Sequence, residues 1–317
     1  MNTLNEKRTI LIIDGYHLLH KGYYGTLKRK KLATNREGVP INAIYTFVAK
    51  INQLVKKNNY YSIIVTLDMD EGCWRRELYP EYKAKRKETP EDLVPQKQII
   101  REFLTAANIP WYEMPRYEAD DIIGTINRIA LKLDYDVHIL SNDKDIFQLV
   151  GERTTVITNS SKDDEHILID HEKVVEKFGC HPSQVADIKA LMGDPSDNIK
   201  GVRYLHYAQA IDLLNKYGNI DNIFEHIDEI NKNISKRLNE SKELILTNKK
   251  ITTIQDRLPI GRVNLKPIRV NWYGLSKFLK KQKMWAYVAD VEKMASESRN
   301  KNSKVNKIKK EHISKEK

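Results

Sequence analysis

The 317-residue chain is predicted to form an α/β domain built on a parallel sheet, followed by a smaller helical domain. Three short apolar runs are typical of buried strands; they begin at Thr9, Ser62 and Asp136 and read TILII, SIIVTL and DVHIL. Helical patterns between them, such as residues 43–55, indicate crossover helices, so we expect the strands to run parallel.

A helical domain is predicted after the sheet. Residues 181–294 have a mostly helical pattern, with turn signals at Gly193-Asp194-Pro195 and at Gly218-Asn219. We place the first domain at residues 1–180 and the helical domain at 181–294. Residues 295–317 are rich in Lys, Asn and Ser and are expected to be a basic, disordered tail.

Composition and charge narrow the classes of function. Apolar residues make up 40% of the chain and charged residues 31%, which is typical of a folded protein. The formal net charge of +11 favours an anionic polymer or surface as partner. Cys73 and Cys180 are far apart and suggest neither a disulfide framework nor a zinc site. No apolar run is long enough for a signal peptide or a membrane span, so we expect a cytoplasmic protein with no membrane contact.

Each of the three predicted strands is followed by an acidic residue. Asp14 follows the first, Asp68 the second and Asp143 the third. Ligands of open parallel sheets collect at the carboxyl ends of the strands. We therefore expect these acids to lie at one edge of the sheet, where a ligand would bind.

Further acids extend this set to nine. In the segment YEADDIIGTI, Glu118 and Asp121 are three residues apart and share a helix face, while Asp120 points elsewhere. The nine acids are Asp14, Asp68, Glu118, Asp120, Asp121, Asp143, Asp145, Asp194 and Asp197. Mg²⁺ and Mn²⁺ prefer oxygen ligands, and two such ions about 4 Å apart can activate a water and stabilise the leaving oxygen of a phosphodiester. Nine carboxylates are too many for a general acid/base pair, and we predict a site for two divalent ions.

Each motif also has an ordinary structural interpretation. Acids in a first helical turn, as at 118–121, favour the helix macrodipole. The segment GDPSDN is a good turn sequence, and Asp14-Gly15 is a common start of a loop. These interpretations require that the acids do not converge, because buried like charges repel one another unless cations neutralise them.

Five segments, in chain order, resemble the 5′-nuclease family. They read LIIDGYHLL, LDMDEGCWRRELYPEYKAKR, YEADDIIGTI, ILSNDKDIFQLV and IKALMGDPSDNIKGV. That family includes the 5′–3′ exonuclease domain of bacterial DNA polymerase I and the phage and cellular flap endonucleases. The resemblance spans residues 10–254 and implies a PIN-like nuclease domain, a helical arch over the active site and a helix–three-turn–helix module that binds duplex DNA.

The resemblance also implies roles for single residues. All nine acids match the metal-binding carboxylates of the family. Tyr82, Lys83 and Arg86 match a YKxxR stretch at the base of the arch, where a cation can stabilise charge on the scissile phosphate. The alternative for Lys83 is a solvated surface charge. The positions that we predict to contact DNA are Arg76, Lys85, Lys200, Arg203, His206 and Gln209.

The chain departs from the family pattern at one hairpin. After Gly201-Val202 the family reads G-I-G-x-K-T-A, and residues 204–210 here read YLHYAQA. In relatives the glycines admit a DNA phosphate and neighbouring carbonyls hold a monovalent cation, so Tyr204 and His206 put that cation in doubt. His206 and Tyr207 are alternative contacts that bond a phosphate or stack on a base. A packing role is an equal alternative for Tyr204, and the helix predicted at 208–217 is intact.

The first functional hypothesis is a free-standing 5′–3′ exonuclease and flap endonuclease of replication and repair. No polymerase domain is expected, because the chain ends soon after the helical module. Its substrate would be DNA with a 5′ flap, a nick or a single-strand/duplex junction, and contacts with a polymerase or ligase are unknown. A catalytically weak or inactive DNA-binding paralogue is the alternative, which the altered hairpin favours and the intact acids disfavour. A PIN-type ribonuclease is a third hypothesis, for which the arch segment and the duplex module have no clear purpose.

Overall fold

A computed structural model describes residues 8–28, 32–57, 59–69, 72–159 and 166–297. The predicted tail lies outside the described residues from position 298 onwards. Contacts divide the chain into two compact units. The first unit comprises the described residues within Met1–Leu18, Asn59–Glu88 and Trp111–Pro267, and the second those within Leu19–Asn58, Thr89–Pro110 and Ile268–Lys317.

A six-stranded sheet forms the centre of the first unit. Its strands are β1 (Thr9–Asp14), β2 (Ser62–Thr66), β3 (Trp111–Tyr112), β4 (Asp136–Leu140), β5 (Thr154–Asn159) and β6 (His166–Ile169). Their spatial order is β3-β2-β1-β4-β5-β6. Neighbouring strands are parallel except β6, which runs antiparallel to β5. The parallel sheet predicted from the three apolar runs is confirmed, whereas the β5–β6 hairpin had no clear signal in the sequence.

The register of β1 brings the ends of three strands to one edge of the sheet. Residues 10–13 of β1, just before Asp14, are apolar and fully buried, as expected for a central parallel strand. Asp14 pairs with Thr66 of β2, and the residue before it pairs with Leu140 of β4. The acidic segments that follow β2 and β4 therefore start from the same edge as Asp14.

The helices and the short second ladder complete the described elements. In chain order the helices are α1 (Gly15–Thr26), α2 (Asn42–Lys57), α3 (Trp74–Leu78), α4 (Val94–Ala107), α5 (Ala119–Lys132), α6 (His171–Phe178), α7 (Val185–Met192), α8 (Tyr207–Tyr217), α9 (Ile220–Glu225), α10 (Lys232–Glu240), α11 (Lys242–Thr252), α12 (Trp272–Lys281) and α13 (285–297). Short 3₁₀ helices cover Asp145–Leu149, Pro182–Gln184, Pro195–Asp197 and Ile227–Glu229. Strands β7 (Gly193–Asp194) and β8 (Ile199–Lys200) pair antiparallel.

Two hydrophobic clusters stabilise the first unit. In one, Ile122 and Ile126, which are one helical turn apart on α5, are fully buried with residues of β1 and β4. In the other, α7, α8 and α11 contribute buried side chains such as Leu191, Leu214 and Ile245. Helices are thus the main elements after residue 181, as the sequence predicted.

The second unit is built from helices. Phe103 of α4 makes edge-to-face contacts with Phe47 of α2 and Phe278 of α12, with ring centroids 6.1 and 5.7 Å apart. The buried Gln96 side chain accepts a hydrogen bond from the Ala43 backbone N–H at 2.9 Å, which satisfies a free donor in the first turn of α2. The helix predicted at 43–55 is confirmed within two residues at each end.

The structure differs from the sequence prediction at the end of β1. Asp14-Gly15 was expected to start a loop, but α1 begins at Gly15. A Cβ at Gly15 would lie 2.6 Å from the Leu67 side chain and 2.8 Å from the Thr66 carbonyl oxygen, so this junction needs glycine. Residues 79–93, which contain the YKxxR stretch, form turns and irregular segments, and the next helix is α4.

Membrane insertion through a helix has no support in the described part of the chain. None of its helices combines the length and the apolar composition that a bilayer crossing needs.

Candidate functional site

Four acids predicted as metal ligands lie close enough for their charges to interact. We call Asp14, Asp68, Asp120 and Asp143 the inner acids. Burial, followed by the negative charges of Asp68 and Asp143, raises the pKa of Asp14 to about 7. Burial also raises the pKa of Asp120 well above its usual value, and the charges of Asp143, Asp14 and Asp68 add to this effect. Such mutual repulsion requires that the inner acids lie close together.

Backbone and hydroxyl donors fix the inner acids. Asp14 accepts hydrogen bonds from the His17 backbone N–H at 3.0 Å and from the Ser141 hydroxyl at 2.9 Å. Asp68 accepts one from the Ala119 N–H, in the first turn of α5, at 2.8 Å. These bonds orient the carboxylates and leave lone pairs for a further ligand.

Three other predicted ligands form a second group, which we call the outer acids: Asp145, Asp194 and Asp197. One carboxylate oxygen from each lies within 4.8 Å of the others. Asp143 links the two groups along the chain, because its carboxylate accepts a hydrogen bond from the Asp145 N–H at 2.9 Å.

The β7–β8 hairpin positions two of the outer acids. Gly193 has φ +76°, and a Cβ there would lie 2.4 Å from the Gly201 nitrogen. A Cβ on Gly201 would lie 2.1 Å from the Met192 carbonyl oxygen. Only glycine at both positions allows this close backbone approach. The tight hairpin then places Asp194 at the start of the 3₁₀ helix, where it accepts a bond from the Ser196 N–H at 2.8 Å, and Asp197 at its end.

Basic side chains lie among the acids. Lys189 pairs with Asp145, and with Asp194 at 2.8 Å. Burial would raise the pKa of Asp194, but hydrogen bonds from Lys189 and Ser196 lower it to about 2. Sequence reasoning missed Lys189, although its position on α7, five residues before Asp194, was a usable signal.

The predicted YKxxR residues contact two of the acids, Glu118 and Asp197. The Lys83 ammonium pairs with Glu118 and lies 4.0 Å from Asp197, while Arg86 pairs with Asp197 at 2.7 Å. The Lys83 side chain is 14% exposed, so the interpretation as a solvated surface charge is wrong. The buried Tyr82 hydroxyl donates to Glu118 at 2.9 Å.

Backbone geometry fixes this basic segment to the hairpin. Lys83 has a left-handed φ of +56°, and its N–H donates to the Asp197 carbonyl at 2.9 Å. The ring of Tyr82 packs in a small cluster with Ile199 and Ile251. The strained backbone of Lys83 is thus held by contacts on both sides.

Asp121 faces a buried arginine instead of the inner acids. Its two oxygens accept from the two terminal nitrogens of Arg75, at 2.7 Å each. They also accept from the Gln255 backbone N–H at 2.9 Å and from the Trp74 ring N–H at 3.3 Å. Glu118 and Asp121 form the capping box of α5. Nothing in the sequence distinguished Arg75 from its neighbour Arg76.

The predicted DNA contacts divide into two classes. The exposed basic residues are Arg76, Lys85, Lys200 and Arg203. The other two, His206 and Gln209, are engaged in the capping box of α8, in which the Gln209 side chain accepts from the His206 N–H at 3.1 Å. These two side chains therefore define the start of α8.

The donors in this region suit a hard divalent cation. The inner and outer acids offer carboxylate oxygens, and the described residues place no cysteine or histidine in the outer group. Asp14 and Asp120, whose pKa is raised by burial and by the charges of neighbouring carboxylates, are costly to ionise without a counter-ion. The chain therefore has an acidic cluster, partly buried, that could bind metal.

Two family models match the chain. One, described as the 5′-3′ exonuclease N-terminal resolvase-like domain, matches residues 9–179. The other, described as the 5′-3′ exonuclease C-terminal SAM fold, matches residues 180–272. The two matches meet between residues 179 and 180.

Relatives of known sequence agree with these matches. DNA polymerase I of Bacillus subtilis strain 168 is 34% identical over 258 residues, which cover 81% of this chain and 29% of that protein. A 5′-3′ exonuclease of Aquifex aeolicus is 31% identical over 287 residues, which cover 90% of this chain and 96% of that protein. The chain thus spans about a third of the length of the DNA polymerase I relatives and nearly all of the Aquifex protein.

Solved structures share the fold. The zinc-bound T5 5′-exonuclease is 21% identical, with a TM-score of 0.64 and coverage of 91% of this chain and 100% of that chain. Human GEN1 in complex with Holliday junction DNA is 15% identical, with a TM-score of 0.61 and coverage of 91% and 71%. At this identity the two structures support the fold alone. By its matches to both family models and to the Aquifex protein, the chain belongs to the 5′-3′ exonuclease family.

Proposed function

We propose that the chain is a metal-dependent 5′–3′ exonuclease and flap endonuclease that hydrolyses DNA phosphodiesters near 5′ ends. The observation that carries this proposal is the convergence of the inner acids at the carboxyl edge of a parallel sheet, where burial and mutual repulsion raise the pKa of Asp14 and Asp120. Membership of the 5′-3′ exonuclease family supports the same activity.

The proposed cofactors are two ions of Mg²⁺ or Mn²⁺. The inner acids, Glu118 and the outer acids would hold them; Asp121 is left out because Arg75 occupies its oxygens. When bound, such ions supply activation of a water and stabilisation of the leaving oxygen. The T5 5′-exonuclease structure has zinc ions bound, which is consistent with a metal site in this fold.

Several side chains of this chain would act on the substrate or on the acids. Arg86 lines a cleft together with Asp143, Lys189 and Asp194, which supports a role in which its guanidinium would bind a DNA phosphate. Lys83 would stabilise charge on the scissile phosphate once Glu118 no longer needs it as counter-ion. Tyr82 holds Glu118 and is a positioning residue.

The proposed substrate is DNA with a 5′ flap, a nick or a single-strand/duplex junction, in replication and repair and in the cytoplasm. The net charge of +11 supports a polyanionic partner. The catalytic domain would comprise residues 1–180, the DNA-binding domain 181–294 and a basic tail 295–317. Exposed Arg76, Lys85, Lys200 and Arg203 are the proposed phosphate contacts.

A DNA-binding paralogue without turnover is the second candidate. The altered segment at residues 204–210 favours this candidate, because Tyr204 and His206 replace two glycines of the family pattern. The complete set of inner and outer acids favours the nuclease.

Cleavage of three substrates separates the candidates. A 5′-flap duplex, a blunt duplex and a single-stranded RNA are incubated with the protein in Mg²⁺ and in EDTA. The proposed nuclease cleaves the 5′-flap strand of the duplex in Mg²⁺ and not in EDTA. Flap binding without cleavage in Mg²⁺ or Mn²⁺ identifies the paralogue, and preferential cleavage of RNA would overturn the DNA assignment.

A further inference from the structure

Tyr204 is the most exposed large apolar or aromatic side chain in the described residues. Its side chain is 70% exposed, so the packing role considered from the sequence is wrong. Its backbone has φ +61°, in the left-handed region that is unfavourable for a residue with a Cβ. A bulky ring in a strained, exposed position stabilises the fold little, and such positions are often functional.

Arg237 holds this strained backbone in place. One of its terminal nitrogens donates to the Tyr204 carbonyl at 2.7 Å, from α10 to the segment that precedes α8. The guanidinium carbon of Arg237 also lies 6.0 Å from the centroid of the tyrosine ring, and that of Arg203 lies 5.5 Å from it. The ring is therefore flanked by two cations and still presents most of its surface to solvent.

The charge around the ring favours a nucleic-acid strand as the ligand. Residues 199–210 include Lys200 and Arg203 and contain no acid. Helix α10 carries Lys232, Lys236 and Arg237 against a single Glu240. Guanidinium groups bind phosphates, and an aromatic ring beside them stacks on a base or packs on a sugar. A protein partner would be better matched by an apolar patch than by one ring between arginines.

We propose that Tyr204, held by Arg237 and flanked by Arg203, is a stacking contact for a DNA strand whose phosphates meet the two guanidiniums. This inference rests on the proposed function, because it deepens DNA binding by the helical module. In the family pattern, glycine at this position lets the backbone approach a DNA phosphate closely. In this chain, stacking by Tyr204 would take the place of that backbone contact. Arg237 is a positioning residue that acts through Tyr204.

Binding of a 5′-flap duplex tests the contact. Fluorescence anisotropy in Ca²⁺, without turnover, compares the parent with Tyr204→Gly, which removes the ring and suits the left-handed backbone. We expect a Kd weaker by at least about fivefold, the lower end for loss of one aromatic stack. Tyr204→Phe keeps the ring and should stay within about twofold of the parent. Tyr273→Ala, at another exposed tyrosine beside a lysine, is the matched control and should leave Kd unchanged.

Thermal unfolding distinguishes a lost contact from a lost fold. Tyr204→Gly should melt at or above the temperature of the parent, because glycine removes the left-handed strain. Arg237→Gln should weaken DNA binding less in the Tyr204→Gly background than in the parent, as expected for a residue that acts through the ring.

Three results would overturn the proposal: a Kd of Tyr204→Gly equal to that of the parent, an equal loss in Tyr204→Phe, or an equal loss in Tyr273→Ala. Because the readout is binding, a parent that binds flap DNA without cleaving it would refute the proposed nuclease and leave this contact testable. A parent that does not bind DNA would refute both.

Discussion

Single residues define the site through the charges that surround them. Burial and the charges of neighbouring inner acids raise the pKa of Asp14 and Asp120, whereas Asp194 has a pKa lowered to about 2 because Lys189 and Ser196 donate to it. Asp121 differs from both groups because the guanidinium of Arg75 fully engages it. Carboxylates of the same type therefore differ in charge state and in partners, because their surroundings differ.

The inner acids should be needed for cleavage but not for binding. Asp120→Asn keeps the size of the side chain and removes its charge, so we expect cleavage of a 5′ flap in Mg²⁺ to be abolished while the Kd for flap DNA stays close to that of the parent. Quenched-flow cleavage and anisotropy measure the two properties. Asp228→Asn, at an exposed aspartate, is the control, and equal cleavage rates in Asp120→Asn and parent would refute the ligand assignment.

Neighbouring arginines on α3 should differ sharply in their effect on stability. Arg75 is buried and bonds Asp121 and the Ile251 carbonyl, so Arg75→Ala leaves a buried carboxylate without its counter-ion. We expect a loss of about 3–5 kcal/mol in the free energy of unfolding. Arg76 is exposed, and Arg76→Ala should change it by less than about 0.5 kcal/mol. Equal effects in urea denaturation would contradict the structural role of Arg75.

At the scale of elements, strands and helices were more predictable than the pairing of side chains. The runs before Asp14, Asp68 and Asp143 predicted the three central strands, because buried parallel strands are apolar along their whole length. Helix α1 was missed since its capping residue, Asp14, also suits a loop start. The pairing of Arg75 with Asp121 joins residues 46 positions apart, and no local pattern can report such a contact.

The β7–β8 hairpin should tolerate no side chain at its close backbone contact. Gly201→Ala would place a Cβ 2.1 Å from the Met192 carbonyl oxygen, so the hairpin must shift and carry Asp194 and Asp197 with it. We expect a loss of about 1–3 kcal/mol in stability, as for overpacked sites, together with impaired cleavage. The control is Gly151→Ala, whose Cβ meets nothing within 4 Å. Wild-type cleavage by Gly201→Ala would show that the hairpin geometry does not position the site.

At the scale of the whole molecule, a cluster of raised-pKa acids links metal binding, pH and stability. In the folded state the pKa of Asp14 rises from 3.8 to about 7, so the fold binds this proton more tightly than the unfolded chain does. Its contribution to stability in the absence of metal is therefore complete below pH 3.8 and is lost as the pH rises through about 7. Divalent ions bind the ionised acids and should replace the proton above that range.

Mg²⁺ should accordingly stabilise the protein more at high pH than at low pH. We expect the increase in Tm on adding Mg²⁺ to be larger at pH 8 than at pH 5.5, because protons compete for the inner acids at the lower pH. Differential scanning calorimetry with and without Mg²⁺ measures it, and Asp120→Asn should reduce the increase at pH 8. If the increase in Tm on adding Mg²⁺ does not depend on pH, the ion binds elsewhere on the protein.

The central claim is that the inner and outer acids lie together and bind divalent cations. The position of bound metal tests this claim most directly. Crystals of the protein soaked in Mn²⁺ and measured at the manganese absorption edge locate each ion from its anomalous signal. The predicted result is density within about 2.0–2.3 Å of carboxylate oxygens of Asp14, Asp120 or Asp194. Manganese bound only elsewhere on the surface, with these carboxylates unliganded, would contradict the account.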